Sequence, residues 1–308
     1  MKVLVTGGAG FIGSHLVDAL LARGDSVAVV DNLSTGKKTN LNPKASFHEA
    51  DIRDPASLEK IFLAEKPEMV SHHAAQTDVR RSMADPAYDA QVNVLGTVNL
   101  LHLCVQHKVW KVIFASSSAA YPEPDYVPVR EDHPLRPVSA YGLTKQIGEQ
   151  YLRFFRETAG LRFTAFRYGN VYGPRQDPKG EAGVVAIFCN QMLAGAPCTL
   201  FGDGKKTRDY VYVDDVVAAN LLALEEAGDG ETFNIGWGQE ITDFEVFDAV
   251  RKALAKTVEP AYASKRPGEL NRIALDNTRA AGILGWSPRV GFQEGIRRSA
   301  EYYRRQIR

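Results

Sequence analysis

Residues 2–15 read KVLVTGGAGFIGSH, a β-branched run that breaks into three spaced glycines. Gly7, Gly10 and Gly13 stand where the run ends and a segment with helical periodicity, residues 11–23, begins. Glycines in this pattern permit a tight turn and a close backbone approach to a pyrophosphate, whose charge the N-terminus of the following helix meets. The stretch therefore predicts a strand, a phosphate-binding turn and a helix, which together open a dinucleotide-binding fold.

The first half of the chain continues this alternation of short apolar strands with helical segments. Further strand-like runs are SVAVVD, ASFHEAD, PEMVSHHAA and KVIFASS, and the long segment 86–107 has a helical period. Runs such as VIFA, apolar on both faces, are typical of a parallel sheet covered by helices on both sides. With right-handed crossovers, the pattern predicts the α/β class with a doubly wound parallel Rossmann sheet.

The amino-acid composition of the sequence changes near Gly169. Glycine and proline become more frequent, and the stretches GPRQDPKGEAG and FGDGKKTRD read as loops. We expect residues 1–168 to form the dinucleotide-binding domain, rejoined by about 209–236, where DYVYVDDVVAANLLAL returns to a strand and a helix. Residues 169–308 would mainly form a smaller C-terminal α/β region that binds the substrate.

Composition excludes several classes of function. The 308 residues hold 37 Lys and Arg against 37 Asp and Glu, well mixed, which disfavours binding to nucleic acid or to a membrane surface. Cys104, Cys189 and Cys198 lack CxxC spacing, which disfavours a disulfide framework or zinc site and is typical of the reducing cytoplasm. His72 and His73 would point to opposite faces of a strand, so no metal site is expected. No secretion signal or membrane span is expected either.

Acidic residues end the second and third predicted strands. Asp31 follows the glycine turn at about the twenty-residue spacing of a ribose-binding carboxylate, and its charge would repel a 2′-phosphate. NAD is therefore favoured over NADP. Lys37 and Lys38 could counter that preference but are interpreted as a solvated loop. Asp51 has two interpretations, facing the adenine or capping the helix that DIRDP begins.

A tyrosine and a lysine stand four residues apart in SAYGLTK, residues 139–145. On a helix, Tyr141 and Lys145 would share one face. A free tyrosine has a pKa of about 10, and we expect the ammonium and a cationic nicotinamide to lower it toward the useful range for acid–base catalysis. The run Ser116, Ser117 and Ser118 ends a predicted strand at the sheet edge where ligands bind, so one of these hydroxyls could orient a substrate hydroxyl beside Tyr141.

Several motifs in order, TGGAGFIG, the strand-end SSS, YGLTK, RYGNVYGPRQDP, TRDYVYVDD and RPGE, together resemble the extended short-chain dehydrogenase/reductase family. Within it, the chain is most similar to nucleotide-sugar epimerases of the UDP-glucose 4-epimerase type, through essentially its whole length. The resemblance implies bound NAD, a UDP-sugar substrate, and a homodimer formed through segments 86–107 and 141–158. The implied reaction inverts carbon 4 of a UDP-hexose through a transient 4-keto intermediate.

The resemblance also implies residue roles. Tyr141 would be the base, Lys145 would hold the nicotinamide ribose, and Ser117 would hydrogen-bond the reacting hydroxyl. Pro122 stands where the family has a glycine after Tyr121, so Ser116 and Ser118 remain alternatives to Ser117. The residues implied to line the NAD are Gly7, Gly10, Phe11, Ile12, Gly13, Asp31, Asn32, Asp51, Ile52, Ala74, Gln76, Asn93, Tyr141, Lys145 and Tyr168. Those implied to bind the UDP-sugar are Ser117, Asn170, Arg208, Arg266 and Glu269.

Alternative functions are weighed on the same residues. Dehydration is disfavoured, because Ser118 and Ala119 stand where dehydrating relatives carry an acid–base carboxylate. The pair Tyr121 and Pro122 is similar to the GDP-fucose synthase branch, a reductase and epimerase, and a non-catalytic NAD-binding sensor is the third possibility. Ile273 falls at the family's pocket gate, where an aliphatic residue smaller than tyrosine favours room for an N-acetyl group.

Overall fold

The structure is a computed structural model that describes residues 1–179, 183–265 and 270–306. Its strands are β1 (Lys2–Thr6), β2 (Ser26–Asp31), β3 (Ser46–Glu49), β4 (Met69–His72), β5 (Lys111–Ser117), β6 (Arg162–Tyr168), β7 (Asn170–Tyr172), β8 (Thr199–Phe201), β9 (Thr207–Arg208), β10 (Tyr210–Tyr212), β11 (Glu231–Ile235), β12 (Ile241–Thr242) and β13 (Ala261–Ala263).

The helices alternate with these strands. They are α1 (Phe11–Ala22), α2 (Pro55–Glu65), α3 (Val79–Ala84), α4 (Pro86–Ala90), α5 (Gly96–Gln106), α6 (Ala140–Ala159), α7 (Val184–Ala194), α8 (Val213–Leu222), α9 (Asp243–Ala253), α10 (Thr278–Leu284) and α11 (Phe292–Gln306). A π-helical turn, Gln91–Leu95, joins α4 to α5, and short 3₁₀ turns lie at Lys38–Asn40 and Ser118–Ala120.

Seven strands form one parallel sheet in the order β3-β2-β1-β4-β5-β6-β11. The chain reverses direction across the sheet between β1 and β4, and ligands bind outside the carboxyl ends of strands at such a switch point. The sheet is buried on both faces: Val3 and Val5 pack with α1 and α8, whereas Leu4 packs with α2 and α5. The predicted doubly wound Rossmann fold is confirmed.

Two elements of the later chain pack on the main sheet or its helices, whereas the strand read from DYVYV, β10, pairs with β7 in a separate small sheet. Strand β11 pairs with β6, and α8 packs against α1, although both follow residue 169. The division of the chain into two domains stays a prediction.

A second apolar core lies among α7, α9 and α11. Phe188, Met192, Phe247 and Ile296 are buried there, beside three two-stranded sheets that pair β10 with β7, β12 with β9 and β13 with β8. These short strands position Asn170 and Arg208. Within the described ranges, no helix has the length and hydropathy needed to cross a bilayer.

Candidate active site

The turn between β1 and α1 forms a cradle shaped for an anion. Gly7 has φ +70°, and a side chain there would approach the Ala74 nitrogen to 2.7 Å. A Cβ at Gly13 would lie 2.2 Å from the Gly7 carbonyl oxygen. No side chain in the described part of the molecule caps α1, which begins at Phe11, so its first N–H groups can meet a negative charge. The turn fits the pyrophosphate of a dinucleotide.

Asp31 ends β2 beside this turn and is 7% exposed. Its carboxylate accepts hydrogen bonds from the backbone nitrogens of Ala9 (3.0 Å) and Leu33 (2.8 Å). Burial raises the pKa of Asp31, and these two N–H groups oppose that rise. Each oxygen keeps acceptor capacity for a ribose hydroxyl. The side chains of Lys37 and Lys38 are 51% and 68% exposed, in agreement with a solvated loop.

Asp51 is held by its neighbours rather than capping a helix. Its carboxylate accepts from the Arg53 guanidinium and from the Asn32 amide at 2.9 Å. The Arg53 hydrogen bonds hold the pKa of Asp51 far below its usual range. The residue that caps α2 is Asp54, so the helix-capping interpretation of Asp51 is wrong. The next predicted cofactor residue, Ile52, is buried at 5% exposure.

A buried polar network supports the predicted cofactor residues Gln76 and Asn93. Asn93 lies in the π-helical turn and donates to the Gln76 carbonyl (3.0 Å) and to Asp89 (3.1 Å). The other Asp89 oxygen accepts from the Thr144 hydroxyl at 2.8 Å. Sequence reasoning missed Asp89 and Thr144. Asp89 stands one helical turn before Asn93, a spacing that could have pointed to it.

The first turn of α6 brings Tyr141 to the end of β5. The Ser139 hydroxyl caps the helix by accepting from Gly142 nitrogen at 3.1 Å. A Cβ at Gly142 would lie 2.1 Å from the Ala119 carbonyl oxygen, so only glycine allows this close packing. Tyr141 nitrogen donates to the Ser82 hydroxyl at 3.0 Å, a contact that fixes the turn from the other side.

The structure brings Tyr141, Lys145 and Ser117 together. The Lys145 ammonium donates to the Ala115 carbonyl at 2.8 Å and lies 5.8 Å from the centroid of the Tyr141 ring. A side-chain interaction with Ser117 lowers the pKa of the Tyr141 phenol, so the two hydroxyls are neighbours. The three side chains therefore converge at the carboxyl edge of the sheet.

The protein alone does not lower the pKa of Tyr141. Burial raises it to about 12, and the interaction with Ser117 only partly offsets this, while the Asp89 charge adds to the rise. Burial also lowers the pKa of Lys145 to about 8, opposed by Asp89. In the chain by itself, desolvation therefore sets the direction of the Tyr141 pKa shift. The predicted lowering, which also requires a cationic nicotinamide, stays a prediction.

The three serines have different surroundings. Ser116 is 3% exposed and donates to Glu149 at 2.6 Å. Ser117 accepts from Ala119 nitrogen at 3.1 Å as the cap of the 3₁₀ turn, and Ser118 begins that turn. The contact with Tyr141 favours Ser117 among the three.

The predicted substrate residues lie on the second region. Asn170 begins β7 and Arg208 ends β9, where its guanidinium donates to the Thr207 carbonyl at 2.7 Å. The predicted Arg266 and Glu269 lie outside the described residues.

Two further predicted positions are packed rather than open. Tyr168 stacks with His73, at 6.5 Å between ring centroids, and its hydroxyl accepts from the Asn220 amide at 2.8 Å. Ile273 is 2% exposed and packs with Tyr121 and Val129. The roles predicted for both residues stay predictions.

No group of three or more His, Cys, Asp or Glu side chains in the described ranges is arranged to hold a metal ion. The glycine cradle and Asp31 instead match the chemistry of a dinucleotide.

Comparison with known proteins agrees with this geometry. The family model of the NAD dependent epimerase/dehydratase family matches residues 3–236. A putative UDP-glucose 4-epimerase of Methanocaldococcus jannaschii is 47% identical over 307 residues, which cover 99% of each chain.

Two solved structures are similar over nearly the whole chain. The UDP-glucose 4-epimerase of Thermotoga maritima with UDP-glucose is 48% identical, with a TM-score of 0.98 and full coverage of both chains. The Thermus thermophilus enzyme in complex with NAD is 47% identical, with a TM-score of 0.95 and 99% coverage of each. The resemblance read from the sequence is confirmed, as are its predictions of an enzyme and of NAD as cofactor. The chain belongs to the NAD dependent epimerase/dehydratase family.

Proposed function

We propose that this protein is an NAD-dependent epimerase that inverts carbon 4 of a UDP-hexose through a transient 4-keto sugar. The observation that carries the proposal is the convergence of Ser117, Tyr141 and Lys145 at the sheet edge beside the glycine cradle. The 48% identity to an epimerase solved with UDP-glucose supports the choice of substrate.

The chain would hold NAD along the carboxyl edge of β1, β2 and β4. The pyrophosphate would lie on the N-terminus of α1, with Asp31 accepting from the adenosine ribose and Asn32 and Asp51 beside the adenine. Gln76 and Asn93 would border the cofactor from their buried network. Bound NAD supplies a hydride acceptor and donor, together with a positive ring that favours ionisation of Tyr141.

The chain's own residues would move one proton and orient one hydroxyl. Ser117 would hold the sugar 4-hydroxyl against the Tyr141 phenolate oxygen, which takes the proton. Tyr141 would return the proton after the 4-keto sugar has rotated to present its other face to the nicotinamide. Lys145 would bind the nicotinamide ribose through its remaining protons while the Ala115 carbonyl fixes its position. Lys145 is buried at 5% exposure, whereas Ser117 and Tyr141 are half-buried and keep a side open toward the substrate.

Inversion requires a diphosphate that is held firmly and a sugar that is held loosely. Arg208 suits the pyrophosphate because a guanidinium fork matches its oxygens. Asn170 lies beside Arg208 in the fold, since its backbone nitrogen donates to the Asp209 carbonyl at 2.6 Å. We propose the same role for Arg266, and ribose binding for Glu269.

The rival activities receive less support from the structure. Dehydration needs a carboxylate after the strand-end serine, and the 3₁₀ turn Ser118–Ala120 carries only a hydroxyl and methyl groups there. Of the Tyr121 and Pro122 pair, which resembles the GDP-fucose synthase branch, Tyr121 is 0% exposed and its hydroxyl is engaged by Arg167 and Asn234. A non-catalytic sensor would not need the intact Ser117, Tyr141 and Lys145 cluster.

A substrate panel tests the proposal. Purified protein should interconvert UDP-glucose and UDP-galactose, with no net change in NADH absorbance. Retention of NAD with no turnover of either sugar would overturn the epimerase and favour the sensor, and net NADH oxidation would favour the reductase. UDP-N-acetylglucosamine and UDP-glucuronate complete the panel. Rejection of the acetylated sugar would refute the hypothesis that Ile273 leaves room for an N-acetyl group.

We also propose a homodimer through the helices next to the site. Leu143 and Phe154 on α6 are 47% and 53% exposed, and Leu95 beside α5 is 51% exposed, so these helices present apolar side chains outward. Light scattering that gives the mass of one chain at working concentration would contradict this. The three free, buried cysteines agree with the reducing cytoplasm as the proposed compartment.

A further inference from the structure

Asp209 is a buried carboxylate that the proposed mechanism does not use. It lies between β9 and β10 and is 1% exposed. One carboxylate oxygen accepts from Trp237 nitrogen at 2.6 Å, and the other accepts from the nitrogens of Gly238 and Leu275, both at 2.9 Å. Burying a carboxylate is costly unless hydrogen bonds replace its water, and here three backbone donors do so.

The segments that meet at Asp209 are those that carry the proposed nucleotide-sugar residues. Its backbone carbonyl accepts from Asn170 nitrogen at 2.6 Å. Arg208 directly precedes it, and Leu275 stands two positions after Ile273. One residue therefore connects β7, through its backbone carbonyl, with the loop after β11 and the segment of the predicted sugar gate, through its carboxylate.

Two glycines make room for this junction. A Cβ at Gly236, after β11, would lie 2.5 Å from the Asp209 Oδ2. A Cβ at Gly169, after β6, would lie 2.8 Å from the Asp209 carbonyl oxygen. The residues that follow β6 and β11 of the main sheet therefore pack directly against Asp209.

We propose that Asp209 is a positioning residue for the nucleotide-sugar site, where its carboxylate fastens the loop after β11 and the segment at Leu275 to the strands carrying Asn170 and Arg208. The inference rests on the proposed function and deepens it. Asp209 sets the affinity for the nucleoside diphosphate and leaves the acid–base step to Tyr141, which stands on α6. Loss of its charge should therefore weaken nucleotide binding and leave NAD retention intact.

The geometry also predicts a dependence on pH. Burial raises the pKa of Asp209 to about 6 against the three N–H groups, and no charged side chain of the described residues contributes to that shift. The ionisable neighbours along the segments it joins are Arg208, Tyr210 and Asp276. Protonation turns an acceptor oxygen into a donor, so nucleotide affinity should fall as the pH drops through about 6.

That loss of affinity is separable from unfolding. The folded-state pKa of Asp209 lies above its ordinary value, so proton uptake by this group favours the folded state. Its contribution to stability is complete below the ordinary pKa and declines as the pH rises toward about 6. Acid should weaken binding through Asp209 without any loss of stability from the same group.

Asp215 offers a matched control. It is 3% exposed and accepts from the backbone nitrogens of Arg289 (2.9 Å) and Val290 (3.0 Å), and burial raises its pKa as well. It lies on α8, where it fastens a segment outside the proposed site. Asp215→Asn therefore reproduces the structural damage of losing a buried carboxylate.

The test is calorimetric titration of NAD-loaded, full-length protein with UDP. At neutral pH, Asp209→Asn should weaken UDP binding by about tenfold or more, because its amide nitrogen would face N–H donors. NAD content should stay unchanged, KM should rise more than kcat falls, and Asp215→Asn should bind UDP as the wild type does. Wild-type affinity should decline below about pH 6, and this decline should be smaller in Asp209→Asn, in which only the terminal phosphate of UDP still takes up a proton.

Unchanged UDP affinity in Asp209→Asn, or equal weakening in both variants, would overturn the inference. Should Asp209→Asn fail to fold, Gly236→Ala displaces the carboxylate by steric contact alone, and wild-type UDP affinity in that variant would overturn it equally. The proposed function itself would be refuted if the wild type binds NAD but neither binds UDP nor turns over a UDP-sugar. That result would be known before any variant is made.

Discussion

At the scale of single residues, the three serines at the end of β5 have different roles: one packs in the interior and another lies beside the proposed base. Both Ser116 and Ser117 contact α6, but at different turns of that helix. Ser116 faces the buried Glu149, whereas Ser117 faces Tyr141. The sequence does not distinguish the three serines, and only their contacts with α6 do so.

Ser117→Ala should lower kcat by about tenfold to a hundredfold, because the reacting hydroxyl loses its orienting partner. Ser118→Ala is the matched control and should keep nearly all activity. Steady-state rates with UDP-galactose decide the point. Equal losses in the two variants would show that neither hydroxyl is specific to the reaction.

The residues found from the sequence are those whose partners lie close to them along the chain. The glycine cradle, Asp31 and the Tyr141 and Lys145 pair follow from spacing along one turn or one helix. Asp209 was missed because the partners of its carboxylate come from distant segments, and no local pattern marks a carboxylate that accepts from Leu275 nitrogen. Sequence reasoning also missed the effect of burial on the pKa of Tyr141, since burial is a property of the folded molecule.

At the scale of elements, a buried ion pair ties α6 to the sheet. Arg167 on β6 and Glu149 on α6 are 2% and 0% exposed and meet at 2.7 Å. Arg167 also donates to the Tyr121 hydroxyl at 2.7 Å, which in turn donates to Asn234 at 2.8 Å. Since α6 carries Tyr141, this network fixes the helix that positions the catalytic groups.

Glu149→Gln should lower the free energy of unfolding by about 3–5 kcal/mol, because it leaves the Arg167 guanidinium buried beside a neutral amide. Glu294→Gln breaks an exposed cluster on α11 and should change stability far less. Urea unfolding of both variants compares them. Similar midpoints for the two would refute the assigned importance of the buried pair.

The strands and long helices of the first half agree with the sequence because each has a clear period. The helical segment 86–107 is interrupted by the π turn Gln91–Leu95, which periodicity does not reveal. The three small sheets of the later chain were not resolved from sequence either. Their strands have two or three residues, too few for a pattern.

At the scale of the whole molecule, the loop after β7 bridges the two regions. The Arg175 guanidinium donates to Asp18 on α1 at 2.7 Å, and His15 contacts the Pro174 carbonyl at 2.9 Å. Asp177 pairs with Lys37, in the loop that follows β2, at 3.6 Å. The loop thereby joins the second region to two elements of the proposed NAD site.

Asp18→Asn should speed the loss of NAD by about two- to fivefold, since it weakens one exposed contact of this bridge. The control is Asp203→Asn, whose side chain is 68% exposed in a pair at 4.0 Å far from α1 in sequence. NAD remaining after timed gel filtration measures the effect. Identical retention in both variants would mean that the loop does not hold the cofactor site closed.

The central claim is that the Tyr141 phenol is the group that exchanges a proton with the sugar. The most direct test is the turnover of UDP-galactose per bound NAD in Tyr141→Phe. The phenylalanine keeps the ring and removes only the hydroxyl, so NAD content should stay near that of the wild type. Turnover should fall by about a hundredfold or more. Wild-type turnover with full NAD content would place the base elsewhere and contradict the account.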